Sequence, residues 1–170
     1  MELPDELALP VPDARLRAMR EDDWRLEQTL SRVPDVPPWT YYPADLTSED
    51  ARDRVARSLA LRSQRRGARF VVEREGAAVG MVGLELRTDV PSVYYAFLPA
   101  GRRLGLATEA VRAVARWVLD HGAHEVRAST RLENVASERV LERAAFRRDG
   151  TGAGQDGTVV TLWVREPTVE

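Results

Sequence analysis

The stretch that most constrains the fold begins at Val93. The run Val93-Tyr94-Tyr95-Ala96-Phe97-Leu98 has the length and the β-branched and aromatic content of a buried strand, and Pro99 closes it. It passes through Gly101-Arg102-Arg103-Leu104-Gly105 and enters a segment where Ala107, Ala110, Val111, Val114 and Val118 recur at spacings of three and four. That spacing is a one-sided helix running to about His121, and Gly122 is a natural residue to end it. A strand feeding a glycine loop and then a helix is anion-binding geometry. The first backbone N–H groups of the helix lack partners and its dipole favours negative charge there. Gly105 and Ala107 carry no bulk to hold a phosphate away. The segment is not a Walker loop, which needs Gly-Lys-Ser/Thr, nor the G-x-G-x-x-G dinucleotide fingerprint. Spacing alone equally allows Gly105 to do no more than ease the turn.

The remaining chain supplies a setting for this unit. Residues 1–12 carry three prolines and no period, and read as an N-terminal tail, leaving one domain over residues 13–170. Ala14 to Met19 is a short strand, and Arg20-Glu21-Asp22-Asp23 opens a helix to about Ser31. Pro34, Pro37 and Pro38 end it, and Trp39 to Pro43 reads as an aromatic loop. That loop either walls an acceptor pocket or packs on the sheet. Thr47-Ser48-Glu49-Asp50 resembles a capping box opening a helix to about Arg65. Ala68 to Arg74 and Ala77 to Leu86 form a hairpin, and Val126 to Arg131 alternates as a strand. Asn134 to Ala145 is a short helix, Phe146 starts a strand, Thr151 to Gly157 is a glycine-rich turn, and Thr158 to Arg165 is the last strand. The order describes one mixed α/β domain.

Composition removes several classes. The 25 basic residues are all arginine and the 27 acidic ones leave a net charge of −2, which argues against nucleic-acid affinity. The absence of cysteine excludes disulfides, thiolate zinc sites and a cysteine nucleophile, and no metal site is expected. No apolar run reaches a membrane span and the N-terminus has no signal-peptide pattern, so a cytoplasmic protein is the expectation. Absence of both lysine and isoleucine fits a GC-rich genome. In such a chain the single asparagine, Asn134, is worth locating.

Pro99 to Ala110 resembles the acetyl-CoA loop of the GCN5-related N-acetyltransferases (GNAT), whose core pattern is Q/R-x-x-G-x-G/A. Arg102, Gly105 and Ala107 fill its fixed positions. Thr108-Glu109-Ala110 resembles the branch that contains the Rim-type ribosomal-protein N-terminal acetyltransferases. Asn134-Val135-Ala136-Ser137 through Leu141-Glu142-Arg143-Ala144-Ala145-Phe146 is similar to that branch's N-x-x-S-x-x-x-L-E-K-x-G-F. Weaker likeness runs from Leu16-Arg17 to the last strand. The departures are Arg103 and Leu104 at the loop tip, where the branch has glycine and a basic or polar residue. Ala145 stands for glycine, and Arg143 for lysine.

The resemblance implies an α/β (α+β) fold: a mixed, mostly antiparallel twisted sheet of about seven strands flanked by about four helices. A V-shaped splay would separate the fourth strand (Val93 to Leu98) from the fifth (Val126 to Arg131). It implies an N-acetyltransferase moving the acetyl group from acetyl-CoA to a primary amine, on a protein N-terminus or a small molecule, by direct attack in a ternary complex. The alternative is a non-catalytic acyl-CoA-binding regulatory module. The implied cofactor-binding set is Phe97, Leu98, Arg102, Arg103, Leu104, Gly105, Leu106, Ala107 and Thr108, with Asn134, Ser137 and Arg139 on the later helix. Arg102 and Arg103, joined by Arg139 and Arg143, would meet CoA phosphates. A backbone N–H of the fourth strand would polarise the thioester carbonyl. Ser137 is the candidate general acid; its plainer role is support of the helix end. Glu85 and Asp156 are the weak candidates for the base, and each also reads as a surface charge. The resemblance admits a homodimer and assigns no nucleic-acid or membrane partner.

Overall fold

The computed structural model describes residues 2–168. Its strands are β1 (Glu6–Ala8), β2 (Ala14–Ala18), β3 (Gly67–Arg74), β4 (Ala77–Glu85), β5 (Ser92–Phe97), β6 (Val126–Arg131), β7 (Arg147–Ala153) and β8 (Val159–Arg165). They form one sheet in the order β1-β2-β3-β4-β5-β6-β8-β7. Every neighbouring pair is antiparallel except β5 and β6. Five helices accompany it: α1 (Trp24–Ser31), α2 (Val36–Trp39), α3 (Ser48–Ser63), α4 (Leu106–Asp120) and α5 (Val135–Arg143).

Alternation along the central strands sorts the core into two layers. Phe70 and Val72 of β3, Val82 and Leu84 of β4 and Val93 and Phe97 of β5 face α4 and α5. There Leu106, Ala110, Val111, Val114, Ala115 and Val118 present a wholly buried stripe. Each leucine or valine among them contributes about 1.5–3 kcal/mol relative to exposure. Val71, Met81 and Ala96 point the other way, against Leu26 and Leu30 of α1, Val36 of α2 and Val55 of α3. Thr47 caps α3 by accepting from the Asp50 N–H at 3.1 Å. Close approaches explain two glycines. A Cβ at Gly80 would stand 2.4 Å from the Phe97 ring, and one at Gly83 2.0 Å from the Tyr94 ring.

Three readings of the sequence are corrected here. The stretch read as a tail contains β1, which pairs with β2 at Leu7 and Leu16 and brings the strand count to eight. The proline-rich stretch contains the one-turn helix α2, with proline among its first residues, where a missing N–H costs nothing. The glycine run expected as a turn from Thr151 is strand as far as Ala153. Gly150 lies where the β7–β8 register shifts, and the turn is closed by the Gly154 N–H donating to the Thr158 carbonyl at 2.7 Å.

Candidate active site

The parallel pair β5 and β6 touches at one register position, Ser92 against Arg127, where the Arg127 N–H reaches the Pro91 carbonyl at 2.9 Å. Beyond it the strands part, and the V opens toward Phe97 and Arg131. The Leu98 N–H points to β4, bonding Val79 at 2.9 Å. Strand alternation therefore turns the N–H groups of Tyr95 and Phe97 into the V, where β6 supplies no partner.

The loop leaving β5 is shaped by backbone conformation. Pro99–Gly101 makes a 3-10 turn. A Cβ on Gly101 would stand 2.8 Å from the Val79 carbonyl oxygen. Arg103 and Gly105 both take the left-handed region, at φ 62° and 75°, and Gly105 caps α4 from that conformation. Among the described residues, the backbone N–H groups from Arg103 to Thr108 bond to no other protein group. That is a run of free donors at the positive end of a 15-residue helix, where negative charge is favoured. Leu106 and Thr108 are buried beneath the loop, whereas Arg103 and Leu104 are exposed at its tip.

Arg102 does not point there. Its Nε and Nη2 donate to the Phe97 carbonyl at 3.1 and 3.0 Å, and its Nη1 and Nη2 hold Asp35 at 2.7 and 2.8 Å. Those hydrogen bonds keep the Asp35 carboxyl below the usual carboxylate range. The guanidinium expected on a phosphate instead ties the loop to the end of β5 and to the residue preceding α2. Arg139 and Arg143 are exposed on α5.

Across the V, Asn134 Oδ1 caps α5 by accepting from the Ser137 N–H at 3.2 Å. The Asn134 amide NH2 makes no bond to a protein group among the described residues. Ser137 Oγ lies 2.5 Å from Tyr95 Oη, which is also 3.2 Å from the Ser137 carbonyl. Burial pushes the Tyr95 phenol well above its ordinary value, and the bond to Ser137 offsets only part of that.

The two carboxylates named as bases lie in different places, each tied to an arginine. Burial raises Glu85, at the end of β4, but two side-chain contacts and the backbone N–H of Arg87 outweigh that and hold it below the carboxylate range. Asp156 is held down to about 2 by the Thr158 hydroxyl and N–H, then by Arg131 at 2.9 Å. Arg131 also donates to the Thr40 carbonyl at 3.2 Å and lies over the Tyr41 ring. Tyr41 accepts from the Gln155 N–H at 3.1 Å. The segment after α2 is thereby docked onto the β7–β8 turn at the open end of the V. Its aromatic residues divide: Tyr42 is buried with its hydroxyl on the buried Glu27 at 2.5 Å, while Trp39 and Tyr41 are about two-fifths exposed. The packing reading of that loop therefore holds for Tyr42.

Tyr95, Asp35 and Arg131 were not singled out by sequence reasoning. Tyr95 carried a signal that it shared with Tyr94, a polar tip within a largely apolar strand. Asp35 and Arg131 carried none, since their partners lie 67 and 25 residues away. Among the described residues no cluster of three or more histidine, aspartate or glutamate side chains could hold a metal. No helix there is long and apolar enough to cross a membrane.

A sheet split beside a helix opened by a left-handed glycine leaves free backbone donors at the mouth of a cleft. The chain belongs to the GNAT acetyltransferase family: the model of the acetyltransferase (GNAT) domain matches residues 14–147. The aminoglycoside N(6')-acetyltransferase type 1 of Salmonella typhimurium is 29% identical over 46% of this chain and 61% of its own length. The match thus spans less than two thirds of that relative. Among solved structures, the ribosomal L7/L12 α-N-protein acetyltransferase RimL in complex with coenzyme A superposes with a TM-score of 0.78. It is 16% identical, over 95% of this chain and 97% of that one. RimJ of Mycobacterium smegmatis gives 0.79 at 22% identity, over 97% and 88%. The aminoglycoside acetyltransferase AAC(6')-Ib gives 0.76 at 20%, over 91% and 93%. At these identities the structures share the fold.

Proposed function

We propose that the chain transfers the acetyl group of acetyl-CoA directly to a primary amine. The observation that carries this reading is one juxtaposition. The free N–H groups of Arg103 to Thr108 lie beside a split sheet whose inner edge offers the N–H groups of Tyr95 and Phe97. The loop donors hold the pyrophosphate, and the Asn134 amide is free to reach the pantetheine arm. Acetyl-CoA supplies the activated acyl group. A strand N–H polarises the thioester carbonyl, a fixed donor of the kind worth about 3 kcal/mol in the transition state. The amine lone pair attacks the carbonyl carbon, and the C–N bond replaces the C–S bond. The amine proton leaves to solvent water, and the departing sulfur takes a hydrogen bond and then a proton through Ser137. Glu85 and Asp156 make poor bases because their hydrogen-bond partners, Arg87 for Glu85 and Thr158 followed by Arg131 for Asp156, favour the ionised form.

The relatives named for aminoglycosides and for a ribosomal-protein N-terminus mark the two acceptor classes to try first. The altered tip at Arg103 and Leu104, with neither carboxylate poised as base, favours the second reading, a non-catalytic acyl-CoA-binding module. Thiol release on mixing the protein, acetyl-CoA and a panel of peptides, polyamines and aminoglycosides decides between them. Acceptor-dependent release supports transfer. Tight CoA binding with no release on any acceptor supports the module.

A further inference from the structure

We infer that Tyr95 is a positioning residue for Ser137: its phenol O–H donates to Ser137 Oγ, leaving the serine hydrogen to point into the V at the donor's sulfur. The inference rests on the acetyl-transfer reading and extends it to a residue on the opposite wall. Tyr95 belongs to β5 and Ser137 to the first turn of α5, 42 residues apart, so their 2.5 Å contact spans the split.

The pair has two hydrogen arrangements. In one, Ser137 donates to Tyr95 Oη and the phenol donates to the Ser137 carbonyl at 3.2 Å, which uses up the serine hydrogen. In the other, the phenol donates to Ser137 Oγ and the serine O–H is free. A developing thiolate is an acceptor only, so it selects the second arrangement. Other contacts fix the geometry around it. Asn134 holds the Ser137 N–H, and the Tyr95 ring packs against the main core. Burial keeps the phenol protonated, so its donor is present throughout the neutral range.

Tyr95→Phe retains the ring and deletes the donor. The account expects it to lower kcat about fivefold, the size of one lost hydrogen bond between neutral groups, with KM for acetyl-CoA changed less than about twofold. In a Ser137→Ala background the same change is expected to cost nothing further. An equal drop in both backgrounds, or a rise in KM in place of the fall in kcat, overturns the assignment. A second measurement needs no acceptor: calorimetric affinity for CoA against desulfo-CoA. Wild type is expected to prefer the thiol several-fold, and both Tyr95→Phe and Ser137→Ala to lose that preference. If the preference falls in both variants while wild type transfers to no acceptor, the positioning role stands and the transfer reading fails. If Tyr95→Phe keeps the wild-type preference, the positioning role fails whatever the turnover.

Discussion

The two ends of the V are built from different materials. At the end proposed for the acyl donor the groups on offer are backbone N–H groups, set by φ angles at Arg103 and Gly105 and by the start of α4, all within a dozen consecutive residues. At the end proposed for the acceptor the wall is made of side-chain contacts between distant segments. Arg131 reaches Thr40, Tyr41 and Asp156, and Tyr41 receives the Gln155 N–H. A backbone site tolerates side-chain drift so long as the dihedrals hold. A side-chain wall is re-cut by one substitution. A fixed cofactor can therefore be paired with a changeable acceptor on one scaffold. Arg102 joins the ends, strapping the donor loop to Asp35 ahead of α2.

The largest effect falls on the donor end. Gly105→Glu places a carboxylate against the pyrophosphate and forces a side chain into a left-handed φ of 75°, a position with open space around it. Calorimetry is expected to show CoA affinity lost by more than about 2 kcal/mol. Gly157→Ala, equally left-handed but in the far turn, leaves CoA affinity unchanged. Equal losses would dissolve the contrast between the ends.

Ser137→Ala comes next. Steady-state kinetics is expected to show kcat falling by about ten- to a hundredfold with acetyl-CoA affinity held. Unchanged turnover removes Ser137 from the thiolate.

Arg131→Gln tests the acceptor end. Freed of its contacts to Thr40 and Asp156, the wall loosens, and KM for the amine rises about fivefold while KM for acetyl-CoA stays. The pH dependence has a definite sign. Asp156 is lowered to about 2, so its contribution is complete above the ordinary carboxylate value and disappears as pH falls through about 2. Its carboxyl carbon, followed by NMR, should titrate near there in wild type and move up in Arg131→Gln.

The smallest effect separates stability from function. Ala145 ends α5 in a Schellman motif, with the Phe146 N–H on the Leu141 carbonyl at 2.9 Å, and it pays for lacking glycine at φ 66°. Ala145→Gly should raise unfolding free energy by about 1 kcal/mol in a denaturant titration, with kinetics unchanged.

The same contrast explains what could be read in advance. The donor loop, the α4 stripe and the Asn134 cap are local patterns, and they stand in the structure where the sequence put them. Both glycine-for-side-chain departures, Arg103 and Ala145, occupy left-handed backbone, which is why the family pattern has glycine there. The strand β1 was hidden because three residues among prolines carry no period. The one-turn α2 was hidden because proline reads as a breaker except at a helix start. The Arg102 direction and the Tyr95–Ser137 pair depend on segments that meet only in the folded sheet.

The most direct test of the account follows a carbonyl-labelled acetyl group in a single turnover. With saturating labelled acetyl-CoA and an acceptor from the panel, mass spectrometry should find one labelled amide formed for each thiol released, and no labelled protein. Bound acetyl-CoA that stays intact before every acceptor, or a label resting on the protein before it reaches the amine, contradicts direct transfer.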